Sequence, residues 1–127
     1  MKINELHATN IERCNRWHPG GIVKWSPLEW AGAMCGEAGE AANAAKKLKR
    51  IESKLQNINA PRRSLIDVDA AEEKVAEECA DTILYALILM AREGVIDPEH
   101  VIAEVFNRKS EEYGFPERVG EATHATS

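Results

Sequence analysis

The stretch WAGAMCGEAGEAANAAKK, from Trp30 to Lys47, decides how this chain folds. At its centre Glu37 and Glu40 stand three residues apart, so a helix places both carboxylates on one face. The residues around the two acids are nearly all small or apolar. Two acids in such a setting are costly to bury unless a positive charge meets them. The stretch therefore predicts a core helix that presents two carboxylates to a cation.

A second acid pair, Glu78 and Asp81, opens the most apolar run of the chain. If the two helices pack antiparallel, the two pairs can face each other. Four carboxylates in one cleft cannot all stay ionised without counter-charge, and oxygen ligands suit Mg²⁺ or Mn²⁺. Each pair alone is more often a solvated helix face. Both pairs together, on the two most core-like helices, predict one metal site.

The composition predicts a single globular domain and narrows the choice of partners. The chain has 127 residues, 44% of them hydrophobic and 29% charged. Its net charge of -5 disfavours non-specific nucleic-acid binding, and its longest apolar run, residues 82–91, is too short to span a membrane. Cys14, Cys35 and Cys79 are too widely spaced for a metal or redox motif, and their neighbours predict buried, reduced thiols. We therefore expect a cytoplasmic protein without a signal peptide.

Start and stop signals predict an all-α bundle of four or five helices within residues 1–116. Four helices are expected at residues 4–17, 27–54, 69–93 and 98–114. The second begins at a capping box formed by Ser26 and Glu29, with proline at its first position. Residues 55–68 show no clear period and are predicted to be a loop. Residues 117–127 are polar and small and are predicted to be a fraying, flexible tail.

Three glycines interrupt the second helix, although each costs roughly 1 kcal/mol relative to alanine in a helix interior. They are Gly32, Gly36 and Gly39. Small residues let another backbone approach closely, so we expect these positions to bring opposing carboxylates within reach of a shared ion.

Two groups of residues outside the acid pairs leave alternatives open. Residues 18–25 form either a packed hairpin between helices or a set of base and phosphate contacts, with Trp17, His18 and Trp25 as candidates. On the fourth helix Lys109 shares a stripe with apolar residues and so extends a buried face. It is either a snorkelling lysine or a phosphate contact.

Three segments carry a family resemblance: GEAGE at 36–40, EECAD at 77–81 and FNRKSEEYGFP at 106–116. They resemble the MazG-like, all-α nucleoside triphosphate pyrophosphohydrolases, and the resemblance covers residues 17–116. The paired E-x-x-E and E-x-x-D motif implies metal ligands at Glu37, Glu40, Glu78 and Asp81.

The same resemblance implies a substrate site. It implies phosphate contacts at Asn43, Lys46 or Lys47, Asn107 and Lys109. The segment RWHPGG at 16–21 is similar to phage-type members, which implies base contacts at Trp17, His18 and Trp25. Two features depart from the family pattern. Gly36 stands where many members have a leading glutamate, and the interval from Glu40 to Glu78 is longer than usual.

The activity that the resemblance implies is hydrolysis of a nucleoside triphosphate to the monophosphate and pyrophosphate, in control of the nucleotide pool. Purine deoxynucleotides, dGTP or dATP, are favoured by the phage-like segment. Glu37 and Glu40 are expected to hold Mg²⁺, with Glu40 also touching the attacking water, while Lys47 and Lys109 stabilise the departing pyrophosphate. We expect a homodimer or a dimer of dimers, because so small a core leaves apolar helix faces to share.

Two functions of other classes stay open. A carboxylate-bridged di-metal bundle normally supplies Glu-x-x-His from two helices, and here that spacing occurs at Glu121 and His124. A non-catalytic helical interaction module would fold stably and would not respond to Mg²⁺ or nucleotide.

Overall fold

A computed structural model of the chain describes residues 1–55 and 63–120. These residues form helices and connecting turns without any strand, which confirms the predicted all-α class. The four α-helices are α1 (Ile3–Trp17), α2 (Pro27–Leu55), α3 (Arg63–Arg92) and α4 (Pro98–Tyr113), and a 3₁₀ turn at Ile22–Lys24 lies between the first two. Among the described helices, none is long and apolar enough to cross a membrane.

The longest helices, α2 and α3, pack along each other in opposite directions and form the main contact of the fold. Tyr85 lies against Trp30, with ring centroids 6.2 Å apart. Seven residues further along α3, Arg92 donates a 2.8 Å hydrogen bond to the carbonyl of Trp25, which precedes α2. Later residues of α3 therefore contact earlier residues of the α2 segment, so the two helices are antiparallel. This is the arrangement in which the two acid pairs can face each other.

The core lies at one end of this pair, where α1 and the 3₁₀ turn cover it. Its buried residues are Cys14, Ile22, Trp30 and Ile88. Asn10 on α1 is also buried and donates a 3.0 Å hydrogen bond to the carbonyl of Leu84 on α3. Because α1 crosses only this end, the other end of the α2–α3 pair keeps more of its surface in solvent.

Helix α4 is attached through α1. The backbone N–H of Asn4 donates to a carboxylate oxygen of Glu99 at 2.9 Å, and the Asn4 side-chain oxygen accepts from the backbone N–H of Glu99 at 3.1 Å. The buried His7 ring donates from Nε2 to the carbonyl of Val95 at 2.8 Å. Asp97 caps α4 and Gly114 ends it in the left-handed conformation, so both predicted signals are confirmed.

One predicted boundary is wrong. Helix α3 begins at Arg63, six residues before the predicted start, so the expected loop at 55–68 is helical from residue 63 onward. The start signal at Asp69 lies inside the helix, because a side chain that can cap a helix also tolerates its interior at a modest propensity cost. At the start of the predicted tail, Val119 exchanges two hydrogen bonds with the side chain of Asn107, at 2.8 and 2.9 Å. Residues 56–62 and 121–127 lie outside the described part of the chain.

Several residues that were predicted to be buried are exposed, on the faces of α2 and α3 that point away from each other. Cys35 and Cys79 are exposed, and only Cys14 is buried as expected. Ile83 in the apolar run of α3 is 56% exposed, while Leu87 further along is buried. The reason is that α1 contacts the later part of α3 and leaves the earlier part uncovered on that side.

The glycines of α2 do not meet another backbone within the described chain. A Cβ placed at Gly32, Gly36 or Gly39 would have no other atom within 4 Å. At about 100° per residue Gly32 and Gly39 lie on the side of α2 opposite Glu37, away from α3. The expectation that these glycines allow α3 to approach is therefore wrong.

Candidate metal centre

Three acids from the two long helices converge on one point. Glu37 of α2 and Glu78 and Asp81 of α3 each offer a carboxylate oxygen, and these oxygens lie within 4.8 Å of one another. The spacing of three residues puts Glu78 and Asp81 on neighbouring rows of α3, and the antiparallel register brings Glu37 opposite them. Three carboxylates at this separation form a ligand set of the kind that Mg²⁺ and Mn²⁺ use.

Glu78 is the most deeply placed of these acids, with only 4% of its surface exposed. Its Oε1 accepts an ion-pair contact of 2.7 Å from the Nζ of Lys74. Its Oε2 is buried and has no hydrogen-bond partner within the described part of the chain. Buried carboxylate oxygens are normally satisfied by a donor or a cation. The unpaired oxygen therefore fits a site that takes a cation.

The charges of the cluster shift two pKa values in opposite directions. Burial, followed by the negative charges of Glu40, Asp81 and Glu78, raises the pKa of Glu37. The hydrogen bond from Lys74 lowers the pKa of Glu78, and this effect outweighs its burial. Lys74 thus compensates the charge of Glu78, while Glu37 has no equivalent cation among the described side chains. A divalent ion would relieve the remaining repulsion at Glu37.

Glu40 flanks the three acids and borders an open cleft. Its negative charge contributes to the raised pKa of Glu37, and its own side chain is exposed. The cleft has a volume of about 280 Å³ and is lined by Glu40, Asn43, Ala44, Lys47, Lys74 and Glu78. Acids at one wall and ammonium groups beside them suit a ligand that carries both a metal and negative charge.

The two lysines that the resemblance offered as alternatives are separated by the fold. Lys47 lines the cleft beside the acids. Lys46 lies on the opposite side of α2, in a second depression of about 460 Å³ that it shares with Lys49, Arg50 and Ser53. One step of 100° around the helix is enough to turn Lys46 away from the acids, so its predicted phosphate contact is not supported within this chain.

The predicted base contacts form one aromatic cluster with the core residue Trp30. The ring of His18 lies 4.6 Å from that of Trp25 and 4.9 Å from that of Trp30, and only 6% of His18 is exposed. Its Nδ1 donates to the carbonyl of Gly21 at 3.1 Å. His18 therefore supports the loop, while its expected contact with a base edge stays a prediction. Trp17 is 49% exposed and offers an open face.

Tyr85 joins the aromatic cluster to the acids, and the sequence reasoning gave it no role. It stands one helical turn after Asp81 and against Trp30. Its own burial, together with the charges of Glu37 and Asp81, raises the pKa of the Tyr85 hydroxyl. The signal that could have found it is its spacing of four residues from Asp81 on the acid face of α3.

The two α4 residues expected to contact phosphate, Asn107 and Lys109, are not among the described residues that line the cleft. Asn107 uses its side-chain amide in the two hydrogen bonds with Val119. Lys109 is exposed, and its stripe neighbours Phe106 and Tyr113 are 44% and 71% exposed. The prediction that this stripe is buried is wrong, because α4 packs on α1 and not on the acid helices.

The pair Glu121 and His124, on which the di-metal alternative depends, lies outside the described residues. Comparisons with protein families, with curated proteins and with solved structures found no match. The function therefore has to be argued from the acids, the cleft and the aromatic cluster themselves.

Proposed function

We propose that this protein is a Mg²⁺-dependent nucleoside triphosphate pyrophosphohydrolase of the MazG-like type. The observation that carries the proposal is the convergence of Glu37, Glu78 and Asp81, with a buried unpaired oxygen on Glu78, beside a cleft with two ammonium groups. The reaction is (d)NTP and water to (d)NMP and pyrophosphate. Mn²⁺ is the natural substitute for Mg²⁺ at such oxygen ligands.

The residues of the cleft divide the chemistry among them. A divalent ion held by Glu37, Glu78 and Asp81 would neutralise the triphosphate and polarise its phosphoryl oxygens. Glu40, at the edge of the same group, orients the water that attacks the α-phosphorus and accepts its proton. The bond from the α-phosphorus to the bridging oxygen breaks, and Lys47 stabilises the negative charge of the departing pyrophosphate. Asn43 donates its amide hydrogens to a phosphate oxygen.

The aromatic cluster is the proposed site for the base. Trp30 precedes Glu37 by seven residues, which is about 10 Å along a helix axis, and the two lie on the same face of α2. Trp17 stands at the outer edge of this cluster with half of its surface open. A nucleotide whose phosphates lie at the acids would therefore extend along Tyr85 and place its base on Trp17. The preference for dGTP or dATP rests on the phage-like segment alone.

A second copy of the chain is the proposed cover for exposed apolar residues on the outward faces of α2 and α3, which lie on opposite sides of the helix pair. Leu28 is 80% and Ile83 56% exposed, and Gly32 and Gly39 border open space on the same side of α2 as Leu28. Large exposed apolar surface of this kind marks an interaction site. We propose a homodimer or a dimer of dimers, with the Ile83 face of α3 in the subunit interface.

The test is a product assay with a matched pair of variants. The wild-type protein is incubated with Mg²⁺ and each of the eight common NTPs and dNTPs, and products are separated by anion-exchange chromatography. We expect NMP and pyrophosphate, a loss of at least about 100-fold in kcat for Glu78→Gln, and near wild-type activity for Glu77→Gln. Glu77 is the matched control because it is adjacent, acidic and largely exposed.

Three results would contradict the proposal. The first is release of NDP and orthophosphate. The second is a stoichiometric iron content in the purified protein, which would favour the di-metal bundle. The third is a melting temperature that neither Mg²⁺ nor nucleotide changes, which would favour a non-catalytic interaction module.

A further inference from the structure

Lys74 and Glu78 form an ion pair that differs from an ordinary pair on a helix surface. The side chain of Lys74 is 60% exposed and that of Glu78 only 6%, and their charged atoms are 2.7 Å apart. The order along the helix, lysine first and glutamate four residues later, is the less favourable one for stabilising a helix. The contact therefore compensates the charge of the buried carboxylate more than it stabilises the helix.

Lys74 also belongs to the cleft. It lines the wall that carries Glu40, Asn43 and Lys47, and it lies close enough to Glu40 to feel its charge. An ammonium group on a flexible, exposed four-carbon stem can change partners without disturbing the helix that carries it. Besides the exposed carboxylate of Glu77, 3.8 Å from its Nζ, two anionic partners are within its range: the carboxylate of Glu78, and a phosphate group that enters the cleft beside Lys47.

We propose that Lys74 exchanges partners during ligand binding: it neutralises Glu78 while no metal is bound, and it turns to the phosphate groups when a divalent ion binds Glu78. This inference rests on the proposed function for the identity of the phosphate ligand. Lys74 contacts Oε1 of Glu78, and the unpaired Oε2 of the same carboxylate would take the divalent ion. The two compete for this carboxylate because they carry like charge and repel each other across it. Lys74 therefore weakens the binding of metal alone and strengthens the binding of polyphosphate in the presence of metal.

This exchange couples the two ligands. A metal ion that arrives without phosphate must bind against the repulsion of an ammonium group that lies 2.7 Å from Glu78. A metal ion that arrives with polyphosphate supplies the displaced ammonium group with a new anion in the same cleft. The net effect is positive cooperativity between metal and polyphosphate, carried by one side chain.

The experiment uses the full-length protein and the variant Lys74→Met, which removes the charge and keeps the length of the stem. Isothermal titration calorimetry measures the Kd of Mn²⁺ alone, and then the Kd of inorganic pyrophosphate at saturating Mg²⁺. We expect the Kd of Mn²⁺ to fall about threefold to tenfold, and the Kd of pyrophosphate to rise about tenfold. The two shifts in opposite directions are the signature of an exchanging counterion.

Two controls isolate the effect. Lys49→Met removes the same charge from the far side of α2, where Lys49 lines the other depression, and should change neither Kd by more than about twofold. Lys74→Arg keeps the charge and should keep the Kd of Mn²⁺ near the wild-type value. If Lys74→Met weakens the binding of both Mn²⁺ and pyrophosphate, Lys74 only holds the Glu78 side chain in place, and the proposal is overturned. An unchanged Kd for either ligand overturns it as well.

The outcomes separate this inference from the proposed function. Wild-type protein that binds Mn²⁺ and pyrophosphate, shows the opposite shifts in Lys74→Met and hydrolyses no nucleotide would refute the proposed activity and leave the exchange intact. Wild-type protein that hydrolyses nucleotides while Lys74→Met binds both ligands normally would refute the exchange alone. Absence of Mn²⁺ binding in the wild type would overturn both.

Discussion

The indole nitrogen of Trp30 donates a 2.8 Å hydrogen bond to the carbonyl oxygen of Ile22. Trp30 is fully buried at the start of α2, and Ile22 begins the 3₁₀ turn that leads to Trp25. Glu37 follows Trp30 by two helical turns on the same face. One side chain thus fixes the turn that carries the aromatic cluster relative to the helix that carries the acids.

The first prediction concerns this hydrogen bond. Trp30→Phe leaves the Ile22 carbonyl without its donor and opens a small cavity, so the free energy of unfolding should fall by about 2–4 kcal/mol. Urea denaturation followed by circular dichroism measures the loss. Trp17→Phe is the control, because half of Trp17 is exposed, and it should change the free energy by less than about 1 kcal/mol. Equal effects in the two variants would show that the buried bond has no special role.

The second prediction concerns the pH dependence of stability without metal. The pKa of Glu37 is raised in the folded protein above its ordinary value of 4.5, so ionising this group destabilises the fold. The cost is absent below about pH 4, grows as the pH rises from 4.5 to the raised pKa, and stays constant above it. Glu37→Gln should therefore raise the melting temperature in EDTA by a few degrees at pH 7 and leave it unchanged near pH 4.

Glu78→Gln should change the melting temperature in the opposite direction from Glu37→Gln. The pKa of Glu78 is lowered by Lys74, so its ionised form stabilises the fold above the ordinary pKa, and this stability is lost as the pH falls through the lowered value. Glu78→Gln should lower the melting temperature at pH 7, and the difference should vanish in acid. Differential scanning calorimetry across this range tests both variants. A lower melting temperature for Glu37→Gln at pH 7 would contradict the repulsion that raises its pKa.

The third prediction separates the acids that act in catalysis from those on the surface. Glu40→Gln and Asp81→Asn each remove a charge and keep the shape of the side chain. Each should lower kcat by at least about 100-fold, while the circular dichroism spectrum stays that of the wild type. Glu52→Gln, an exposed acid further along α2, is the control and should keep wild-type kcat. Wild-type kcat in both Glu40→Gln and Asp81→Asn would remove these acids from the mechanism.

The fourth prediction distinguishes base contacts from loop support in the aromatic cluster. Trp17→Ala removes an open stacking face, so the KM for a favoured purine nucleotide should rise by the equivalent of about 1–3 kcal/mol, with little loss of stability. His18→Ala removes a buried ring that holds the turn, so the melting temperature should fall. Kinetics on dGTP and dTTP, paired with thermal melts, separate the two effects. If Trp17→Ala keeps the wild-type KM and the wild-type ratio between the two substrates, the base binds elsewhere.

The fifth prediction concerns the exposed face of α3 around Ile83, where we propose a subunit interface. Light scattering after size-exclusion chromatography should give twice or four times the 14.1 kDa of one chain. Ile83→Asp places a charge on the proposed interface and should yield monomers. Ile96→Asp introduces the same charge at a position that is 90% exposed, between α3 and α4, and should leave the assembly intact. A monomeric wild-type protein would refute the proposed assembly.

The sequence by itself determined the features that depend on a few neighbouring residues. Ser26 and Glu29 form the predicted capping box, with the Glu29 backbone N–H donating to the Ser26 hydroxyl at 3.2 Å. Asp97 caps α4 in the same local way. The spacing of Glu78 and Asp81 placed both acids on one side of α3. Such features follow from backbone geometry within one turn of helix, so the order of residues is enough to predict them.

Only the tertiary structure decided which side chains meet between helices. Lys74 was no part of the predicted site. Its role depends on an ion pair with Glu78, and Glu78 becomes buried only when α3 packs against α2. His18 and Lys46 were expected at the ligand, but the packing of Trp30 encloses the first, and the rotation of α2 that faces Glu37 to α3 turns the second away. The helical period reveals which residues share a face, but the neighbour that each face receives is set by how the whole core packs.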